Sequence, residues 1–317
     1  MKQLLIFSVK KILITLVVLM GISLIAFVIN YLSPGDAATL VLDQNGIFTP
    51  TEEQINIVRE NLGLNAPWYK QYILWLSKVM HGDFGISYKT GNSVLSEIAS
   101  RISITLTLAL AASSLATFCG ISFGLIGILK KNCFIGKLLG IMENTFLAAP
   151  SFLMSLLLIL VVSEFLRVLP TSGAESIAGF VLPTFALSFT MIALVSRLLK
   201  EKLREEMNKQ YFYVAIARGI PLKEVVLLYA LPNAILPVLA LLGNYFGGIL
   251  GGSVVIESIF ALPGLGSLAL EAIRFRDYPV LQAYVLIMGC VFTGVFIIID
   301  FLLLYFNPRI RIEQKKL

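Results

Sequence analysis

The chain has 317 residues, 57% of them hydrophobic and only 14% charged, with a formal net charge of +6 and a mean hydropathy of +0.87. Soluble domains carry roughly 25% charged residues, and disordered chains carry more. Both classes are therefore excluded, and three cysteines exclude a disulfide scaffold. What remains is an integral membrane protein, in which the basic excess marks one side of a bilayer rather than a nucleic-acid partner.

A bilayer core about 30 Å thick needs roughly 20 apolar residues per helix. Six uncharged runs qualify: Ile12–Gly35, Ile102–Leu129, Asn144–Ser163, Ser176–Ser196, Val225–Ile256 and Tyr278–Ile299. The first follows Lys2, Lys10 and Lys11, as a signal peptide would. It exceeds the apolar length of about 7–15 residues expected there and lacks a cleavage site directly after it, so it reads as a retained helix. The third begins near Leu138 and is interrupted by Glu143. The fifth contains Pro232 and Pro237, and proline breaks helices. Its span is therefore expected near Ala234–Val255, with the preceding segment in a loop. Lys and Arg divide 17 to 8 between the two sets of alternate loops. The richer set includes both ends, which places both termini in the cytoplasm. No disulfide is expected among Cys119, Cys133 and Cys290.

Tyr31–Arg101 is then extracytoplasmic. Thr51-Glu-Glu-Gln54 has the form of a capping box, opening a helix with Ile55, Val58 and Leu62 on one face and Gly63 as its left-handed stop. Pro67 suits the first turn of a second helix carrying Trp68, Tyr72, Trp75 and Val79, ended by His81-Gly82. These aromatic residues either pack on the membrane surface and nearby loops or form a docking surface. His81 is the one histidine. It reads as a turn residue rather than a metal ligand, because no second ligand sits at metal spacing, and no metal site is expected.

On the cytoplasmic side, Arg197–Glu224 has seven basic and four acidic residues in a helical pattern. It contains Tyr211-Phe-Tyr-Val-Ala-Ile-Ala-Arg-Gly219 and then Ile220-Pro221. Small residues such as Ala215, Ala217 and Gly219 let another backbone come near. The plainer reading is a basic amphipathic helix lying on lipid.

At this loop the sequence resembles a known family. In permeases of ATP-binding-cassette importers a cytoplasmic loop reads E-A-A, three residues, G, nine residues, I, one residue, L-P. Tyr213, Val214 and Ala215 occupy the first three places, Gly219 the glycine, Tyr229 the Ile, and Leu231-Pro232 the last pair. Loss of the Glu is similar to the peptide and nickel branch. Further similarity lies in Leu32-Ser-Pro-Gly-Asp36, Leu62-Gly-Leu64, Gln71-Tyr72, Gly82-Asp-Phe-Gly85, Leu169-Pro170, Leu182-Pro183, Gly251-Gly-Ser-Val-Val-Ile-Glu257, Pro263-Gly-Leu-Gly266, Arg276-Asp-Tyr-Pro279 and Asn307-Pro-Arg-Ile-Arg311. The chain resembles the first of the two membrane subunits of a dipeptide, oligopeptide or nickel importer.

The resemblance implies an all-α, six-helix type I importer permease fold with a helical insertion between the first two spans. It implies residues 1–35 as the N-terminus and first helix, 36–101 as the extracytoplasmic region, 102–306 as a five-helix core including a coupling loop at 197–232, and 307–317 as a cytoplasmic tail. The implied partners are a homologous second permease subunit, two ATPase subunits and an extracytoplasmic solute-binding protein, in a bacterial inner membrane. No G-x-x-x-x-G-K-[ST] phosphate loop is present, so this chain is expected to be no enzyme and to hold no cofactor, with ATP and Mg on the ATPases. Tyr213, Ala215, Ala217, Arg218, Gly219, Pro221, Leu231 and Pro232 are the ATPase-coupling residues implied.

In the fifth span Gly243, Gly247 and Gly251 recur every four residues, as do Gly248 and Gly252. Such spacing serves close helix crossings or lines a pathway. Glu257 beyond them is either solvated or part of an outer gate facing substrate, while Asp300 and Glu143 read as residues near the headgroups. A stand-alone secondary transporter is the alternative, but mid-membrane charges and internal repeats are not evident. An intramembrane enzyme lacks paired catalytic groups. The substrate is expected to be a short peptide, or else nickel or a metal chelate.

Overall fold

The computed structural model describes residues 2–32, 37–44 and 46–306. Among these the structure is helical, apart from an isolated antiparallel bridge between Ile86 and Ser93. In order the helices are α1 (Lys2–Leu32), α2 (Ala37–Gln44), α3 (Glu52–Asn61), α4 (Trp68–Met80), α5 (Val94–Leu129), α6 (Phe134–Ala148), α7 (Ser151–Leu158), α8 (Ile177–Met207), α9 (Gln210–Ala217), α10 (Leu222–Val225), α11 (Leu231–Gly252), α12 (Val254–Ile259), α13 (Leu265–Phe275) and α14 (Tyr278–Phe306). π-helical turns follow α7 at Ile159–Phe165 and α10 at Val226–Ala230. Five helical stretches are long and apolar enough to cross a membrane, and the bent pair α6–α7 makes a sixth if taken as one span. The chain forms two units, one from residues up to Ser103 plus Gly264–Thr293, the other from Ile104–Pro263 plus residues from Gly294 on.

In the first unit α3 and α4 start and stop as their sequences dictate. The capping box closes both ways, with Thr51 N donating to Gln54 Oε1 at 3.0 Å and Gln54 N to Thr51 Oγ1 at 3.4 Å. At the other end Gly63 takes φ +68°, and Leu64 N reaches Arg59 O at 2.9 Å while Gly63 N reaches Glu60 O at 3.0 Å. This is a Schellman turn. α4 ends the same way, with Gly82 at φ +80° and the Asp83 N–H on Lys78 O at 3.0 Å. His81 belongs to that turn, its Nδ1 lying 2.8 Å from Ser77 O. The aromatic face of α4 packs on α1. The Phe27 ring meets Tyr72 edge-on at 5.4 Å and Trp75 at 6.0 Å, and Tyr72 Oη lies 2.8 Å from Ser23 Oγ. Trp68, Tyr69, Ile73 and Leu74 remain exposed.

In the second unit α8 supplies the core, burying Ile192, Val195, Leu199 and Leu203 along one face. α5 crosses it through glycine. A Cβ at Gly120 would fall 2.6 Å from Val195 Cγ1, and one at Gly124 2.9 Å from Leu199 Cδ2. Gly243 of α11 makes an equally close approach, its Cβ position lying 2.1 Å from Ile299 Cδ1. The close crossing expected for the glycines of the fifth span therefore holds at Gly243, and a second one, at α5, comes from a G-x-x-x-G pair.

Two expected spans differ in form. The third is two helices meeting at 110°. Ala149 is extended (φ −88°, ψ 123°) because a residue before proline is pushed out of the helical region, and Pro150 continues extended at ψ 142°. The fifth is longer than expected, since helix runs through Pro232 and Pro237 over Leu222–Leu250. Pro232 lies in the first turn of α11, directly after the π-helical turn. There a missing N–H is tolerated, and the widened turn gives the ring room. The span over Ala234–Val255 is corrected accordingly. α11 stops at Gly252, and two further helices that the hydropathy pattern does not announce, α12 and α13, follow. Glu143 is corrected too. It is buried and paired with Lys200 of α8, because α6 packs along α8 instead of facing headgroups.

Candidate functional site

α9 is an eight-residue helix held at both ends. At its start Glu206, the end of the buried face of α8, accepts from Tyr211 Oη and Lys209 Nζ, each at 2.6 Å. At its end Gly219 takes φ +83°, with its N–H on Ile216 O at 2.9 Å and the Ile220 N–H on Ala215 O at 3.3 Å. A residue after a helix that must turn left-handed is best served by glycine. A Cβ at Gly219 would meet nothing within 4 Å, so backbone sign, not space within the chain, explains this glycine. Phe212 and Ala215 face inward to the cluster of Leu203, Val225 and Val226.

The surface left by this arrangement is apolar. Tyr213, Val214 and Ile216 are exposed, beside exposed Ala217, Arg218, Gly219 and Pro221. Of the residues implied for coupling, Ala215 faces inward. The chain itself buries it, because its small side chain lets α9 approach its own core. Leu231 is half-buried against the same core, and Pro232 is exposed. Glu206 and Tyr211, which fix the helix, carry no pattern in sequence that would single them out.

In the pathway set, Gly247 is buried, whereas Gly248 faces outward with nothing within 4 Å of an added Cβ. The surroundings of Gly251 and Gly252 lie outside the described residues, as do Ser33–Asp36, the side chain of Asp300 and residues 307–317. Glu257 is 0% exposed. Its Oε1 accepts from Ser253 Oγ at 2.6 Å and from Thr105 Oγ1 of α5 at 2.9 Å. The expectation of a solvated carboxylate is corrected, since the break after α11 turns Glu257 inward onto α5. Glu257→Ala should remove this acceptor from two buried hydroxyls and open a cavity, at about 2–4 kcal/mol, read as a lowered thermal midpoint in detergent. Glu257→Gln keeps an acceptor for both hydroxyls and should lower that midpoint by less than Glu257→Ala does. An equal fall in both variants would show that the negative charge, not the acceptor, holds the contact.

A second built region lies in the first unit. Asp277, after α13, is buried and clamps the loop before α5. Its carboxylate accepts from Ser87 Oγ, from Tyr88 N at 3.0 Å and from Lys89 N at 3.2 Å. Lys89 also pairs with Glu271 at 3.1 Å and lies 4.4 Å over the Phe275 ring. Arg276 takes the left-handed conformation at φ 54°, which closes α13 and sends Asp277 inward. The Arg276-Asp-Tyr-Pro279 run thus has a structural purpose that its residue types alone do not disclose.

Two family models match the chain. One, described as the binding-protein-dependent transport system membrane component, N-terminal, covers residues 4–109. The other, the binding-protein-dependent transport system inner membrane component, covers residues 94–312. The glutathione transport system permease protein GsiC of Escherichia coli (strain K12) is 33% identical over 305 residues, 96% of this chain and 98% of that protein. Its counterpart in Shigella flexneri serotype 5b (strain 8401) gives the same figures. Among solved structures, the MetNI methionine ABC transporter in an inward-facing conformation aligns with a TM-score of 0.57 at 14% identity, over 67% of this chain and 96% of that one. This last likeness is one of fold.

Proposed function

Because the chain belongs to the family of inner membrane components of binding-protein-dependent transport systems, we propose that it forms one half of the pathway of an ATP-driven importer of short peptides. It is a multi-pass permease of the bacterial inner membrane, not a stand-alone transporter. Its partners are a homologous second membrane subunit, two ATPase subunits that bind ATP and Mg, and an extracytoplasmic solute-binding protein. Both termini are cytoplasmic, on the 17-to-8 division of basic residues, and the segment holding α2–α4 lies outside.

The observation that carries the reading is α9. It is a short helix, braced by Glu206 and ended by Gly219, whose Tyr213, Val214 and Ile216 are left exposed among the described residues. A cleft on an ATPase is the fitting cover. ATP binding that closes the ATPases displaces α9, and the two membrane subunits exchange one packing for another through differential contacts. Gly248, on an open face of α11, supports contact with the second subunit or the pathway there. The peptide assignment rests on relatives named for glutathione, a tripeptide.

The test is co-expression with the second subunit and the ATPases, followed by uptake of a labelled tripeptide in proteoliposomes supplied with the binding protein. ATP-dependent uptake and co-purification of the ATPases are expected. Uptake of a nickel chelate without peptide uptake would overturn the substrate. With the three native cysteines removed, a cysteine in place of Asn92 should react with an impermeant reagent from outside, and reaction only from inside would overturn the orientation.

A further inference from the structure

The contacts that join α8 to α6 include two polar rungs that the importer reading does not use. Glu143 is the sole charged residue between Lys137 and Glu164, and its side chain is 3% exposed. Ser196 Oγ donates to its Oε1 at 2.6 Å, and Lys200 Nζ pairs with its Oε2. One residue further along each helix, Arg197 Nη2 donates to Asn144 Oδ1 at 2.6 Å. Ser196 and Lys200 are four residues apart and so share one face of α8. Glu206, six residues beyond Lys200, holds Tyr211 of α9. In the other direction, α6 ends at Ala148, and Ala149-Pro150 carries the 110° bend to α7.

We propose that Glu143, with Ser196 and Lys200, is a strut whose residues position α6 on α8, so that displacement of α9 reaches the bend between α6 and α7. An apolar contact between two helices has many registers of similar energy and can slide. A desolvated carboxylate cannot slide, because each step away from its partners leaves a buried charge unpaired. At the crossing of α5 over α8, Val195 and Leu199 pack close over Gly120 and Gly124, and Ser188 Oγ donates to Ala112 O at 3.0 Å, a contact between neutral groups. The charged contact that fixes register is the one joining α8 to α6. The displacement of α9 originates in the ATPases, so the strut rests on the importer function proposed for the chain.

The experiment measures substrate moved per ATP hydrolysed, by the full transporter in proteoliposomes, with assembly checked on the same preparation. Glu143→Gln and Lys200→Met should hydrolyse ATP at a rate within about twofold of wild type while moving about tenfold less substrate per ATP. The combined exchange Glu143→Lys with Lys200→Glu should recover most of the ratio, as coupled partners do in a double-mutant cycle. Glu143→Asp, which keeps the charge but shortens the reach, should lower the ratio with assembly intact and decides the matter if the other variants assemble poorly. An unchanged ratio in Glu143→Asp and the single variants overturns the strut alone. So does a loss of assembly and ratio together that the exchange does not repair, since that is a packing role. A wild-type chain that fails to bind the ATPases overturns the importer reading and the strut with it.

Discussion

Replacement of Asp277 by alanine is expected to release the loop at Gly85–Ser93 from the end of α13. Three donors lose their acceptor at once: the Ser87 hydroxyl and the backbone N–H groups of Tyr88 and Lys89. Hydrogen bonds to a charged acceptor contribute about 1.5–3 kcal/mol each. Even with water recovering part, the loop should lose about 3 kcal/mol of local stability. Hydrogen exchange at Tyr88 and Lys89 should accelerate by about a hundredfold, and protease should cut between Gly85 and Gly91. Tyr88 supplies a second readout. Burial first, and the neighbouring Asp277 carboxylate second, push its phenol up to about 12. The unfolded phenol titrates near 10, so this stabilisation is complete below pH 10 and is lost as pH rises through 12. Asp277→Ala should move the Tyr88 titration down toward 10 in ultraviolet difference spectra against a Tyr88→Phe control. Unchanged exchange and an unchanged titration would mean that the loop is held by Lys89–Glu271 instead.

Gly219→Val should abolish most uptake, while Gly219→Asn should retain it. At φ +83° a β-branched residue is a genuine outlier, costing roughly 1–2 kcal/mol, whereas Asn enters this region routinely. The strain is relieved by opening the turn that closes α9, and the exposed Tyr213 and Ile216 then lose their fixed direction. Uptake should fall about tenfold in Gly219→Val, with the chain still in the membrane and the ATPases bound more weakly on co-purification. The pair of variants separates two causes. Loss in both, with space around the Cβ in this chain, points to a partner backbone lying against the glycine. Retention in both overturns the assignment of α9 to coupling.

Much of the architecture can be read from residue types, because the bilayer imposes a rule that acts on single segments. A helix must be about 20 apolar residues long to cross, so the uncharged runs locate the spans. The α3 and α4 boundaries are equally local, since Thr51, Gln54, Gly63 and Gly82 act on backbone groups within a few residues of themselves. The turn that ends α9 is legible for the same reason. Its glycine marks a turn whose φ is fixed by neighbours in the chain. The pairing of residues distant in sequence is not legible. Glu257 looks like the end of a span meeting water, and only the fold, by breaking the helix at Ser253, turns it toward Thr105. Glu143 looks like a flaw in an apolar run until α6 lies along α8 and brings it Lys200. The run Asn144–Ser163 reads as one span, and only the fold shows it changing direction by 110° at Pro150. The sequence does not say which way Ala215 faces, and the packing of α9 places it in the cluster with Val225 and Val226. Local rules depend on residues a few places apart. The state of a buried charge depends on what lies across the interface, and that neighbour is chosen by the packing of whole helices.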